Sequence, residues 1–263
     1  MNGRRRQIAL LLGLALVDPA TAGVDLRILS VDEPPTNFLV NGRPTGFVVE
    51  VIERLEQDLG IHAPIETVPT PRAFSYLKRE ANVLAITFGK TPEREALGIH
   101  FLGPITTRNQ IVWIPKGKAL KISSHVDIAS QKLLLGSPVG DWRTQYFKDR
   151  GVRVDASSSH AMDLRHLQRG MIDLCAMSDL EFPYVARAAG VDAADFEPAY
   201  VFAQATQGYI VFSRSTPVET IERWERAFKE LQKTDFFDKT ARKWSSPESP
   251  LRYSRSMGFY RER

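Results

Sequence analysis

The chain has 263 residues, enough for one large domain or two smaller lobes with real cores. Charged residues make up 25% and hydrophobic residues 43%, a globular composition that excludes a disordered or low-complexity chain. The net charge is +4, and without residues 1–22, which carry three Arg and one Asp, it falls to a formal +2. That near balance gives no electrostatic footprint for nucleic acid.

Residues 1–22 read as a secretory signal peptide. "MNGRRR" is a basic leader, "IALLLGLALV" an apolar run, and Ala20-Thr21-Ala22 a small-residue cleavage site. The apolar run is too short to span a bilayer as a helix. No Cys follows it, so a lipid anchor is unavailable. The mature protein is expected to be exported, periplasmic and soluble, with an uncleaved signal anchor as the alternative. Cys175 is the single cysteine, so no internal disulfide forms. Its neighbours Leu174, Ala176 and Met177 place it in a buried strand, where Cys behaves as a small hydrophobe; a catalytic thiol is the sharper alternative.

The mature chain alternates strands and helices. "VDLRILSV" (24–31) reads as a strand, followed by the loop "DEPPTNFLVNGRPTG". "FVVEVIERLEQDLG" carries Val48, Ile52, Leu55 and Leu59 at helical spacing and stops at Gly60. "APIETVP" is a short strand, Thr70-Pro71 opens a helix, and "NVLAITF" is the next strand. "QIVWIPK" (110–116) is extended, "KLLLGS" (132–137) a strand, and a helix runs from Asp141 to Arg150. "VRVDA" is extended, "SHAMDLRHLQRG" a Ser-capped helix, "MIDLCAM" a strand and "EFPYVARAAG" a short helix. "QGYIVFSR" (207–214) is the last strand, and Thr216-Pro217-Val218-Glu219 reads as a capping box opening a long helix. The pattern predicts an α/β fold with largely parallel sheets.

These residues resemble a known family, the type 2 periplasmic solute-binding proteins of extracellular family 3, which include polar amino-acid receptors of ABC importers. The resemblance rests on "PPTNFLVNGRPTGFVVEVIERL", "TPEREALGIHFLGPI", "LQRGMIDLCAMSD" and "GYIVFSRSTPVETIERWERAFKELQKTDFFDKTARKW", in that order, over about residues 24–244. It implies two α/β lobes joined by a two-crossing hinge. Lobe 1 would hold residues 23–110 and 212–244, and lobe 2 residues 111–211. It further implies a monomer that closes over a small carboxylate-bearing solute, an amino acid as leading subclass, and presents it to an inner-membrane ABC permease.

The residues themselves leave the role of Arg94 open. It either pairs with Glu93 or Glu95 on a solvated turn, or faces a ligand. The resemblance selects the second, because the family's Thr-x-x-Arg arginine holds the ligand carboxylate and a guanidinium can bind both oxygens. Gly89 would let backbone approach the ligand, and the Thr87 carbonyl would accept from an ammonium group. Gly140 and Asp141 begin a second-lobe helix whose N–H groups would complete the clamp; Asp141 also reads simply as its N-cap. Trp142 either covers ligand or packs into its own lobe. At the position where family receptors present an acid for the amino group, this chain has Ser178, with Asp179 one residue on, and a one-residue shift turns a strand side chain to the other face. Glu33 and its neighbour Asp32 are first-lobe alternatives, Phe38 an apolar or cation–π wall, and Arg72 a second cation beside the cleft.

Enzyme readings have less support. The five histidines show no metal spacing, with His160 and His166 facing different sides of a helix, and no phosphate loop, serine elbow or zinc motif appears. No cofactor and no metal are expected. Two alternatives remain: an enzyme on the same fold, like the cyclohexadienyl dehydratases, with Glu33 or Asp179 as general acid, and a sensor acting through a signalling partner. The segment 245–263 is polar and proline-interrupted, and is expected to be a loosely attached tail, dispensable for folding.

Overall fold

The structure, a computed structural model, describes residues 26–246 and 250–261. The expected signal segment lies outside the described residues. Apolar runs without alternation become buried central strands, because helices cover both faces of a parallel sheet. Thus β1 (Arg27–Ser30) lies parallel to both β4 (Ile65–Thr67) and β5 (Val83–Gly89). The long strands β6 (His100–Pro115) and β10 (Phe196–Phe212) run antiparallel to each other. They continue into β9 (Leu174–Ser178), β7 (Leu134–Pro138) and β8 (Arg153–Ser157), giving the order β4-β1-β5-β10-β6-β9-β7-β8.

Each long strand serves two lobes. The C-terminal part of β10, Gly208 to Phe212, pairs with β5 and with the start of β6. The other end of β6, Gln110–Trp113, pairs with β9, while the start of β10 pairs with the end of β6. Both strands are longer than the 110–116 and 207–214 segments expected, because the chain stays extended while crossing between lobes. Register shifts interrupt the β6–β10 ladder between Ala203 and Thr206, where Ala205 adopts φ 47°. The polar residues there sit between the two apolar ends.

Helices complete each lobe. In lobe 1, α1 (Phe47–Leu59) ends at left-handed Gly60, and it buries Val48, Ile52 and Leu55 as its spacing predicts. It packs with α8 (Val218–Leu231) and α9 (Phe236–Trp244). α2 (Thr70–Arg79) and the short α3 (Pro92–Ala96) flank β5. In lobe 2, α4 (His125–Ser130), α5 (Trp142–Lys148), α6 (His160–Gln168) and α7 (Phe182–Ala189) enclose separate apolar clusters. Cys175 is fully buried in β9, and burial pushes its thiol pKa well up, so it is an inert core residue.

Three expectations are corrected. The loop after β1 contains a hairpin, β2 (Phe38–Val40) and β3 (Arg43–Thr45), turned by Asn41 and Gly42 at φ 51° and 76°. The capping box at Thr216 does not form: α8 is capped at Pro217, and the Thr216 hydroxyl is instead 3.0 Å from that of Ser213. Residues 250–261 are not a loose tail. Residues 251–254 (β11) and 258–261 (β12) form an antiparallel hairpin, and β12 adds to β6 at Thr106. Leu251 and Phe259 are buried in the lobe 1 core, and Tyr253 stacks on Phe237 at 4.1 Å. A few large apolar residues at alternate positions outweigh the polar composition between them.

Candidate functional site

A cavity of about 810 Å³ opens between the lobes, lined by the end of β5, the start of α3, the middle of β6 and β10, and Trp142. Arg94 is a cation of this cavity with no carboxylate within ion-pair distance among the described residues, whereas Lys90 beside it pairs with Glu95. Thr91 caps α3 by accepting the Arg94 N–H at 3.3 Å, which fixes Arg94 in the first turn. The guanidinium then donates from Nη1 to the Gly89 carbonyl at 2.6 Å. It also lies 5.3 Å from the centre of the Phe74 ring and 5.0 Å from that of Phe88. Neither Glu93 nor Glu95 pairs with it; Glu95 takes Lys90 instead, at 2.9 Å. No carboxylate lies within ion-pair distance of Arg94 among the described residues. Burial lowers its pKa, and only the charge of Glu93 opposes that. A half-buried guanidinium with one neutral acceptor has N–H donors left to bind an anion.

The floor is built from strained and closely packed backbone. Thr87 lines the cavity at φ 61°, a conformation that a β-branched residue rarely adopts, and its hydroxyl lies 2.9 Å from the Asn37 side-chain oxygen. Gly208 has no room for a side chain, since a Cβ there would overlap the Thr106 hydroxyl. Glu33 reaches the cavity from the loop after β1 and accepts a hydrogen bond from Arg108, which is itself buried on β6. Burial raises the Glu33 carboxyl and the negative charge of Glu181 adds to it, with Arg108 opposing.

From lobe 2, Trp142 reaches the same cavity, half-exposed and packed against Tyr146 and Phe202. Gln110 connects the cavity to a buried charge cluster, accepting from Nε of Arg143 at 2.9 Å. Arg143 also holds Glu181 at 2.6 Å and Asp141 at 2.9 Å. Burial works against the Glu181 carboxylate, but the Arg143 guanidinium prevails and holds its pKa down to about 2. His160 completes the cluster, with Nε2 3.2 Å from Asp141 and Nδ1 3.4 Å from the fully buried Asp163. Burial disfavours the imidazolium, as does the Arg143 guanidinium 2.9 Å from Nε2, yet the neighbouring carboxylates of Asp141 and Asp163 outweigh both and raise its pKa to about 9.

Of the residues singled out in the sequence, Arg94, Thr87, Gly89, Glu33 and Trp142 meet at this cavity. Gly140 and Asp141 line a separate depression of about 320 Å³ that shares only Trp142 with it. The N-terminus of α5 is satisfied from within, because the Asp141 carboxylate takes the Arg143 N–H at 2.7 Å. Phe38 is buried away from the cavity, its ring 5.0 Å from that of Tyr184 in lobe 2. Arg72 is exposed on α2 and does not line the cavity. Asp179 turns to the hinge, where Asn109 donates to its two oxygens at 3.0 and 2.7 Å. Arg108, Gln110, Thr206, Gln207 and Tyr209 line the cavity without having been anticipated. Their signal was available: "TTRNQ" and "QATQG" are polar interruptions inside otherwise apolar strands.

Residues 26–247 match the model of the bacterial extracellular solute-binding proteins, family 3. The chain belongs to this family. No curated protein matches it. Among solved structures, an ancestral arginine-binding protein bound to arginine superposes with a TM-score of 0.69 at 19% identity, covering 85% of this chain and 99% of that one. A histidine kinase sensor domain with similarity to periplasmic binding proteins gives 0.67 at 21%, covering 83% and 95%. The substrate binding protein of an amino acid ABC transporter gives 0.65 at 17%, covering 83% and 98%. At such identities these likenesses establish the two-lobed fold. Family and fold together support a ligand-binding receptor.

Proposed function

We propose that this family member captures a small carboxylate-bearing solute, an amino acid as the leading subclass, in the periplasm and delivers it to an inner-membrane ABC permease. The observation that carries the reading is Arg94: a partly desolvated guanidinium at the cavity, near two aromatic rings, with no carboxylate partner among the described residues. Closure would bring Trp142 of lobe 2 onto a solute held by Arg94 on lobe 1 and flanked by Gln110 on the crossing strand β6. The acids that a catalytic reading would use are already engaged, Glu33 with Arg108 and Asp179 with Asn109, which favours binding over turnover. The likeness to a histidine kinase sensor domain supports a second reading, in which the same capture is passed to a signalling partner.

A thermal-shift panel of free amino acids beside their α-amides tests the ligand class. A solute that binds only the folded protein stabilises it by RT ln(1 + [L]/Kd), about 2.7 kcal/mol at a hundredfold excess over Kd. Acids that stabilise while their amides do not are the expected result. Equal shifts from acid and amide would contradict the carboxylate reading.

A further inference from the structure

The family match ends at residue 247, and the β11–β12 hairpin lies beyond it. The hairpin is anchored in lobe 1, where Phe259 is fully buried and the Tyr253 hydroxyl accepts from Gln232 at 2.7 Å. Its turn and second strand then reach both crossings. The Met257 carbonyl accepts the Thr107 hydroxyl at 2.5 Å, and the Ser256 carbonyl accepts the Gln207 amide at 3.1 Å. Beyond the crossings, Arg261 donates to the Asp179 carbonyl of lobe 2 at 3.3 Å. The Asp179 carboxylate holds Asn109 on the first crossing, and the Asn109 side-chain oxygen accepts the Ala205 N–H of the second at 3.1 Å. A line of hydrogen bonds thus leads from lobe 1 to lobe 2 and ties the two crossings together.

We propose that the C-terminal hairpin is a hinge brace: through Thr107, Gln207 and Arg261 it sets the angle between the lobes and positions the cavity residues carried on the crossings. Rotation of one lobe against the other must be absorbed by backbone angles in the crossing segments. One of the places where the ladder loses register is around Ala205, where φ is positive, and that is the segment the brace reaches through Asn109. Arg261 bonds across the lobes, so an opening motion that separates lobe 2 from the hairpin must break that bond. Thr107 adjoins Arg108, and Gln207 itself lines the cavity, so the brace bears on the site from behind. Gly258 permits the close docking, since a Cβ there would overlap the Ile105 carbonyl.

The brace is tested without any ligand, so its failure is distinct from failure of the proposed function. Spin labels on Val218→Cys in lobe 1 and Met171→Cys in lobe 2, both exposed positions, report the interlobe distance; Cys175 is fully buried and stays unlabelled. The ligand-free parent is expected to give one narrow distance distribution. Arg261→Ala and Thr107→Val are each expected to broaden it or add a second population, and Arg261→Lys, which keeps a donor, to restore it. A melting curve confirms that each variant is folded, and Thr107→Val, which removes one hydroxyl, carries the test if Arg261→Ala is poorly folded. An unchanged distribution in folded variants would overturn the proposal and leave the hairpin a core addition only.

Discussion

His160 lies between two carboxylates, Asp141 and the fully buried Asp163, with the Arg143 guanidinium 2.9 Å from its Nε2. Its pKa rises from the ordinary 6.5 to about 9, so the folded state binds a proton that the unfolded chain releases in that interval. The stability this contributes is fully present below pH 6.5 and is lost as pH rises through 9. The stability difference between wild type and His160→Gln, measured by urea unfolding across this range, should therefore be largest at the acid end and shrink towards the alkaline end. A difference that stays flat with pH would contradict a protonated His160. At this scale the sequence showed part of the site. Arg94 lines the cavity as the family resemblance implied, the residues alone having left its role open, and Glu33 lines it from its place after the first strand. Arg143 and Glu181 were missed because each looks like an ordinary helix-terminal charge, and only the tertiary fold buries them together. Asp179 was misplaced for the opposite reason. A strand-end acid looks like a ligand contact until the crossing strand supplies Asn109 as its partner.

Elements were legible where one residue pattern decides the outcome. The spacing of Val48, Ile52 and Leu55 foretold the buried face of α1, and the continuous apolar run of β5 a central strand. The β2–β3 hairpin carried an Asn-Gly turn signal, but its strands are three residues each, too short to show alternation. The C-terminal hairpin escaped notice because its stability is not local. Phe259 gains its burial from Phe47 and Phe237, residues far away in the chain. Truncating Phe259→Ala should cost about 3–5 kcal/mol, the range for large aromatic deletions in a core. Calorimetric or denaturant unfolding checks this. A loss under about 0.5 kcal/mol, the range of neutral surface substitutions, would mean that the hairpin is not part of the lobe 1 core.

At the scale of the molecule, alternation of strands and helices predicted the α/β class, and the resemblance predicted two lobes; the fold shows both. What one-dimensional reading does not contain is the meeting of distant segments at one cavity, since Glu33, Arg94, Arg108, Trp142 and Gln207 come from five separate stretches. Under the proposed function, Arg94 receives the carboxylate of a solute in that cavity. Isothermal titration of wild type, Arg94→Ala and Arg94→Lys with an acid that stabilises the wild type tests it most directly. Removing the guanidinium leaves the bound carboxylate desolvated and unpaired, so the Ala variant should lose about 2–5 kcal/mol of binding free energy. Lys should recover only part, because an ammonium lacks the two-pronged geometry. Unfolding midpoints of all three proteins should agree closely, since Arg94 has no ion-pair partner to lose among the described residues. Wild-type affinity in Arg94→Ala would contradict the claim.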